Sequence, residues 1–535
     1  MSGLVPNRMA PILPQFACEP RRSAVFNNIL LAIVLVFATS AARAEKQTPW
    51  LENGRAVAQA SEMLEAMRNA ELYGLRPADY AVRISAEDLQ AVLSGRADAS
   101  TREWFESELT RAAARFVTHI HSGRVDPVSA GLLLPQVRRA FDVTSAVQQL
   151  ASSPNFAATL ASLEPAPLPY RRLKEALAQY RNLAQQPGRT SLPPLPARSL
   201  AQGDEYAGAA ALRGLLEALG DLAATSSVVE RDERTIDATL VAGIQSFQRR
   251  HGLAADGVLG ARTLAAMTKP LEERVQQLEL SMERWRWLTA IERPSIVVNI
   301  PQFMLFALPR ADEPSSQVLE MRVIVGQSYP HTRTPMFVSA ITQVVFQPYW
   351  DVPAGILKRE LLPHLRKDAA FLDRYHMEIV QGQSDDARVV TPSAGAIDGL
   401  AAGRLRLRQR PGPGNALGPV KFLMPNPYNV YLHATPEEAL FERSQRTFSH
   451  GCIRVSEPGA LAAYVLKDAA GTWDEAAIEA ALCGTDMQRV VLTRPVRVVV
   501  FYSTAVATRS DGVLFLEDIY GYDRKLQSLL DAARG

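Results

Sequence analysis

The sequence predicts a multidomain α+β chain with a helical N-terminal part, a compact three-helix module, and a β-rich C-terminal part interrupted by an inserted helical segment. Three observations predict it. The 535 residues correspond to about three or four domains on length alone. Apolar residues recur at helical spacing up to Leu288, whereas after Pro294 β-branched runs bounded by turn residues take over. A Pro-rich stretch, Gln186–Pro196, separates the first helices from the module and reads as a linker.

Composition narrows the function classes. With 47% hydrophobic and 21% charged residues the chain can bury real cores. Lys+Arg 58 against Asp+Glu 56 leaves a formal charge of +2, which argues against a nucleic-acid partner. Three cysteines (Cys18, Cys452 and Cys483) exclude a disulfide-dense scaffold and a four-cysteine metal site.

At the start, Arg8, Arg21 and Arg22 precede the apolar run Ile29–Ala38, and Ala42-Arg43-Ala44 follows as a small-x-small cleavage site. That order describes an export signal. Ile29–Ala38 is shorter than the ~20 residues that span hydrocarbon. The alternative, an uncleaved anchor, makes this segment the sole membrane contact. Both readings place the body of the chain outside the cytoplasm, and cleavage removes Cys18 from the chemistry.

Helical patterns follow at Ala56–Leu72, Thr101–Ile120 and Tyr170–Leu183. Ala209–Leu219, Asp237–Arg250 and a helix starting at Gly260 make the module, with Gly252 and Asp256-Gly257 as turn signals. Val275–Leu288 is a connecting helix. Ser295–Phe303, Val318–Val325, Ile341–Phe346 and Val496–Tyr502 read as strands, and Ile356–Leu365 as a helix of the insert. The expected division is 1–44 export segment, 45–197 helical scaffold, 198–270 module, 271–294 connecting helix, 295–505 β-rich domain with insert 353–405, and 506–535 C-terminal segment.

The chemistry concentrates between Tyr431 and Val455. Cys452 ends a Ser449-His450-Gly451-Cys452 turn, and His433 lies upstream. A thiol becomes a good nucleophile as thiolate, and an imidazole can take its proton. Gly451 lets the backbone turn beside the sulfur, leaving N–H groups to face an oxyanion. Arg454 suits a substrate carboxylate. Three blander readings stand beside this one: a Cys452–Cys483 disulfide, a zinc site using His433, His450 and Cys452, and a buried structural thiol. The remaining histidines show no metal-ligand spacing, so no metal and no cofactor is expected.

The run Ser449-His450-Gly451-Cys452-Ile453-Arg454-Val455 with His433 resembles the signature of the L,D-transpeptidase (YkuD-type) catalytic domain. Gly414-Asn415-Ala416-Leu417-Gly418, Lys421-Phe422, Val430-Tyr431-Leu432-His433, Val325-Gly326 and Asp518-Ile519-Tyr520-Gly521 extend the likeness to the long periplasmic members. Phe247-Gln248, His251-Gly252-Leu253 and Asp256-Gly257 resemble a peptidoglycan-binding module, as direct glycan reader or as packing scaffold. Ala434 departs from the family, where an acidic residue is common.

The resemblance implies an enzyme acting on peptidoglycan stem peptides. Cys452 would attack the carbonyl joining diaminopimelate to terminal D-Ala, and the side-chain amine of a second stem would resolve the thioester as a 3→3 cross-link. His433 would be the base and His450 a supporting residue. The Gly451 and Cys452 amides would be the oxyanion donors with Ser449 in a positioning role, while Arg454, Asn415 and Tyr431 would bind substrate. Water as acceptor would make a hydrolase instead, and a non-catalytic wall-binding protein is the reading from another class. The resemblance further implies a moving cap over the cleft, acylation by carbapenems, and peptidoglycan peptide and glycan as partners, with other wall synthases left open. Arg404, Arg406, Arg408 and Arg410 alternate as if on one strand face, either solvated or drawing stem carboxylates.

Overall fold

The computed structural model describes residues 49–134, 141–186, 191–223, 234–289, 295–309, 317–329, 331–368, 370–508 and 512–533. The export segment and Cys18 lie outside the described residues. From Trp50 onward the chain forms one compact unit. Among the described residues no helix is long and apolar enough to cross a membrane.

The helical pattern is realised closely. Asp98 caps the long helix Ala99–Ser122 by accepting from the Thr101 N–H at 2.7 Å. That helix buries Phe105, Leu109, Phe116 and Ile120 against Ala58–Arg68 and Val143–Ser152. The module consists of Ala209–Leu219, Ala238–Arg250 capped by Asp237, and Ala261–Met267, with its own core around Leu212, Ile244 and Phe247.

Beyond Pro294, eight strands follow one another in a closed ring. In spatial order they are Val420–Leu423, Leu432–His433, Ile453–Val455, Leu319–Gly326, Met304–Ala307, Ile296–Asn299, Gln488–Phe501 and Met336–Phe346, the last pairing back onto the first. Closure covers most of the sheet edge, but the closing pairing reaches only 343–346 of Met336–Phe346 and leaves the start of that strand open to a further strand. Val298, Leu305, Val323, Phe422, Leu432 and Ile453 fill the interior. The fold is therefore mixed, helical at the front and β-rich at the back.

Three expectations need correction. The N-terminal part is not purely helical, because Leu132–Leu133 adds to this β-sheet beside Met336–Phe337 in parallel register. The insert is not purely helical either. Trp350–Asp351, Met377–Gln381, Arg388–Val390 and Arg406–Gln409 form a four-stranded antiparallel sheet, so its elements reach past 353–405 on both sides. Finally, the arginine row is only partly a solvated strand face: Arg404 and Arg410 are exposed outside the strand, whereas Arg408 is buried, stacks over Tyr349 and pairs with Glu378 at 2.6 Å, and Arg406 pairs with Asp351.

The connecting helix Leu271–Arg286 joins these parts through charge pairs. Arg286 meets Glu283 at 3.2 Å and donates to the Tyr73 carbonyl. Arg284 meets Asp523 at 2.6 Å. Asp523 lies in the first turn of the C-terminal helix Tyr522–Ala532, which follows the hairpin Ala505–Ala507/Val513–Phe515.

Candidate active site

Two adjacent parallel strands build the site. Leu432–His433 lies beside Ile453–Val455, with Leu432 opposite Ile453 and His433 opposite Arg454. Leu432 and Ile453 point into the core. Alternation then puts Tyr431, His433, Cys452 and Arg454 on the other face. The ladder reaches Tyr431, whose carbonyl accepts the Ile453 N–H at 3.1 Å. On the far side Lys421 stands opposite His433, so Lys421, His433 and Arg454 form a row across three strands, and Cys452 and Tyr431 flank it.

Cys452 is a free thiol, and so is Cys483, which is exposed at the end of the helix Glu475–Cys483. The disulfide reading does not hold in this structure. Among the described residues no His/Cys/Asp/Glu group suited to a metal is found. The Cys452 sulfur lies 3.7 Å from the Asn429 carbonyl. Burial pushes its thiol pKa up, while hydrogen bonds from the Tyr431 backbone and hydroxyl and the nearby Arg454 charge act the other way. Tyr431 thus serves the nucleophile directly, a contact that the substrate-binding expectation missed.

His433 is held as a neutral ring. Its Nδ1 lies 2.6 Å from the Ala434 carbonyl, a partner that an N–H satisfies, which leaves Nε2 with the lone pair. Burial first, and Arg454 second, lower its pKa to about 3. No hydrogen bond joins His433 to Cys452 in this state. Diagonal positions on adjacent strands lie about 8 Å apart at the backbone, a gap that an imidazole rotation or one water bridges.

The other expected site residues fall into distinct places. Ser449 Oγ donates to the Cys452 carbonyl and accepts the Gly451 N–H at 3.1 Å. The Gly451 amide is therefore committed and does not face an oxyanion here. Gly451 instead supplies geometry: its φ of +118° is a left-handed conformation that suits glycine. His450 turns away from the sulfur and meets Glu360 of the insert at 3.1 Å, with its side chain 37% exposed. Asn415 is buried, donating to the Pro348 and Arg410 carbonyls at 3.0 Å each and accepting from the Leu417 N–H. With both ends of its amide occupied, Asn415 pins a loop and leaves nothing for substrate. Arg454 pairs with Glu437 at the edge of a cavity of about 670 Å³ between the insert and the Thr435–Glu437 turn. Trp350 also lines it.

Several supporting residues carried no role in the sequence reading. Thr334 Oγ1 accepts the Gly326 N–H and donates to the Gly451 carbonyl, both at 2.8 Å, and Tyr520 donates to the Gly326 carbonyl. A side chain at position 326 would meet the Thr332 carbonyl at 1.9 Å, so the signature turn rests on a strand that admits only glycine there. Lys421 and Glu437 were likewise missed, since a partner across a strand leaves no local mark.

Comparison with known proteins agrees with this geometry. Residues 293–491 match the YkuD family, described as the L,D-transpeptidase catalytic domain. Residues 207–267 match the family described as "Putative peptidoglycan binding domain", and 42–177 match a scaffold domain. A curated protein of Haemophilus influenzae named "Putative L,D-transpeptidase" is 33% identical over 254 residues, covering 47% of this chain and 49% of that protein. The chain therefore spans about half the length of that relative.

Proposed function

We propose that this chain, which carries a YkuD-type L,D-transpeptidase catalytic domain and a peptidoglycan-binding domain, is a cysteine acyltransferase that cross-links peptidoglycan stems outside the cytoplasm. The observation that carries the proposal is the shared sheet face of Cys452, His433, Tyr431 and Arg454. Neutral His433 takes the Cys452 proton as the sulfur attacks the carbonyl between diaminopimelate and terminal D-Ala. The C–N bond breaks, D-Ala leaves as an amine with a proton returned by His433, and the donor stem remains as a thioester. The side-chain amine of a second stem attacks that thioester, losing a proton to His433 while the thiol is restored, and a 3→3 bond results.

Tyr431 contributes the donors that stabilise the thiolate. The Cys452 N–H donates to no partner among the described residues and is the amide best disposed to meet the oxyanion. Ser449 and Gly451 set the turn, and Asn415 holds the neighbouring loop. Arg454 offers a cation to a substrate carboxylate at the mouth of the cavity under the insert. Carbapenem acylation of Cys452 follows from the same chemistry.

Product analysis tests the reaction. Incubation with disaccharide-tetrapeptide should yield free D-Ala and 3→3 dimers by mass spectrometry. Tripeptides without dimers would make the chain a hydrolase, with water taking the acceptor's place.

A further inference from the structure

The residues that resemble a peptidoglycan-binding module are occupied by the module's own turns. Gln248 donates to Asp256 and to the Val258 carbonyl and accepts the Gly257 N–H, and His251 stacks on Phe247 at 3.7 Å. A surface for the polymer must lie beside them. The module is clamped to the C-terminal hairpin, with Arg250 pairing with Asp221 and donating to the Val513 carbonyl at 2.8 Å. At this seam a cavity of about 720 Å³ opens between the module, the connecting helix and the C-terminal helix.

The charges lining it can be paired off. Glu273 holds Lys269 at 2.9 Å, Glu517 holds Arg262 at 3.5 Å, and Asp523 holds Arg284. Asp518 accepts from the Tyr502 hydroxyl and two backbone N–H groups. Two cations remain without a carboxylate at ion-pair distance among the described residues, Arg274 and Arg524; Glu273 acts on Arg274 only from farther off, being paired with Lys269. Arg274 is 8% exposed, and its guanidinium meets only the Gln277 amide oxygen and the Ala266 carbonyl over the Phe515 ring. A buried guanidinium lacking a counter-ion is costly unless an anion joins it. Burial lowers the Arg274 pKa to about 10.

We propose that this seam is a second binding site, which takes a carboxylate of a peptidoglycan stem peptide between Arg274 and Arg524 while Gln276 faces its polar backbone or sugar. The site rests on the function proposed above, because one of its walls is the matched peptidoglycan-binding domain. It differs from that domain's own surface in requiring the connecting and C-terminal helices. A stem held there anchors one strand of the polymer to the rigid seam, and the catalytic cleft works on another.

Sedimentation of the full chain with purified peptidoglycan tests this, in a Cys452→Ala background that prevents turnover. Arg524 is exposed, so Arg524→Glu leaves folding intact, and Arg274→Gln is the second variant. Arg524→Glu should weaken binding to stem-bearing peptidoglycan about fivefold, as loss of a charge-assisted contact does. Amidase-stripped glycan should bind both forms equally. In the Cys452-containing protein, the same variant should acylate with soluble disaccharide-tetrapeptide at the unaltered rate. Equal binding of both forms to stem-bearing peptidoglycan, or an equal loss on stripped glycan, overturns the site. Absence of acylation would instead overturn the proposed reaction and leave the binding result standing.

Discussion

Charge is buried in two regions of the molecule, and the two treat it differently. At the interdomain seam three buried cations have a counter-charge in contact: Arg286 has Glu283, Arg284 has Asp523 and Arg250 has Asp221, while Arg274 has none within ion-pair distance. On the candidate catalytic face Lys421 donates to the Tyr349 carbonyl with Asp351 and Asp385 acting on it from beyond ion-pair distance, His433 is kept neutral, and the Cys452 thiol is kept protonated. The three seam pairs settle their charges in favour of rigidity. The catalytic face holds groups away from their preferred ionisation, as expected where protons must move.

The comparison is broken most severely at the seam. Asp523→Ala strands Arg284 in the interior and should cost about 3–5 kcal/mol, read as a large drop in the denaturation midpoint. A loss below about 1 kcal/mol would show the pair to be dispensable. His433→Gln should leave that midpoint almost unchanged while slowing acylation by about 10²–10⁴, the usual contribution of a positioned base. If stability fell and the rate did not, His433 would belong with the seam.

Acid sharpens the contrast. His433 titrates at about 3 and His119 at about 4 in the folded chain, each lowered chiefly by burial, against an ordinary 6.5. The unfolded chain therefore binds protons first as pH falls below about 6.5. Stability is complete above that value and declines down to the folded values. By pH 5 each ring should have withdrawn about 2 kcal/mol. Glu106, raised by burial to about 7, acts with the opposite sign over this window, so the His433 share is read as the midpoint difference from His433→Gln at pH 7 and 5. His433→Gln should flatten part of that decline. The smallest effect belongs to the half-exposed His450–Glu360 contact, where Glu360→Gln should alter stability by less than about 1 kcal/mol.

Much of this was legible in the sequence, because it was local. The helix Ala209–Leu219 appears with the bounds its pattern gave, and Cys452 with its neighbouring turn was visible as a cluster of chemical residue types. What stayed hidden depends on register between distant strands. Nothing near Leu132–Leu133 marks it as a partner of Met336–Phe337, and nothing near Lys421 marks it as facing His433. The insert's strands have two to five residues, too few for alternation to declare itself. The Gly451 amide was misjudged because a side chain two residues away, Ser449, captures it.

The central claim is that Cys452 becomes acylated by the donor stem. Intact-protein mass spectrometry after brief incubation with disaccharide-tetrapeptide tests it most directly. The account predicts an added mass equal to the donor minus D-Ala, mapped to Cys452 and absent from Cys452→Ala. An unmodified protein that still forms cross-links, or an adduct that persists in Cys452→Ala, would contradict it.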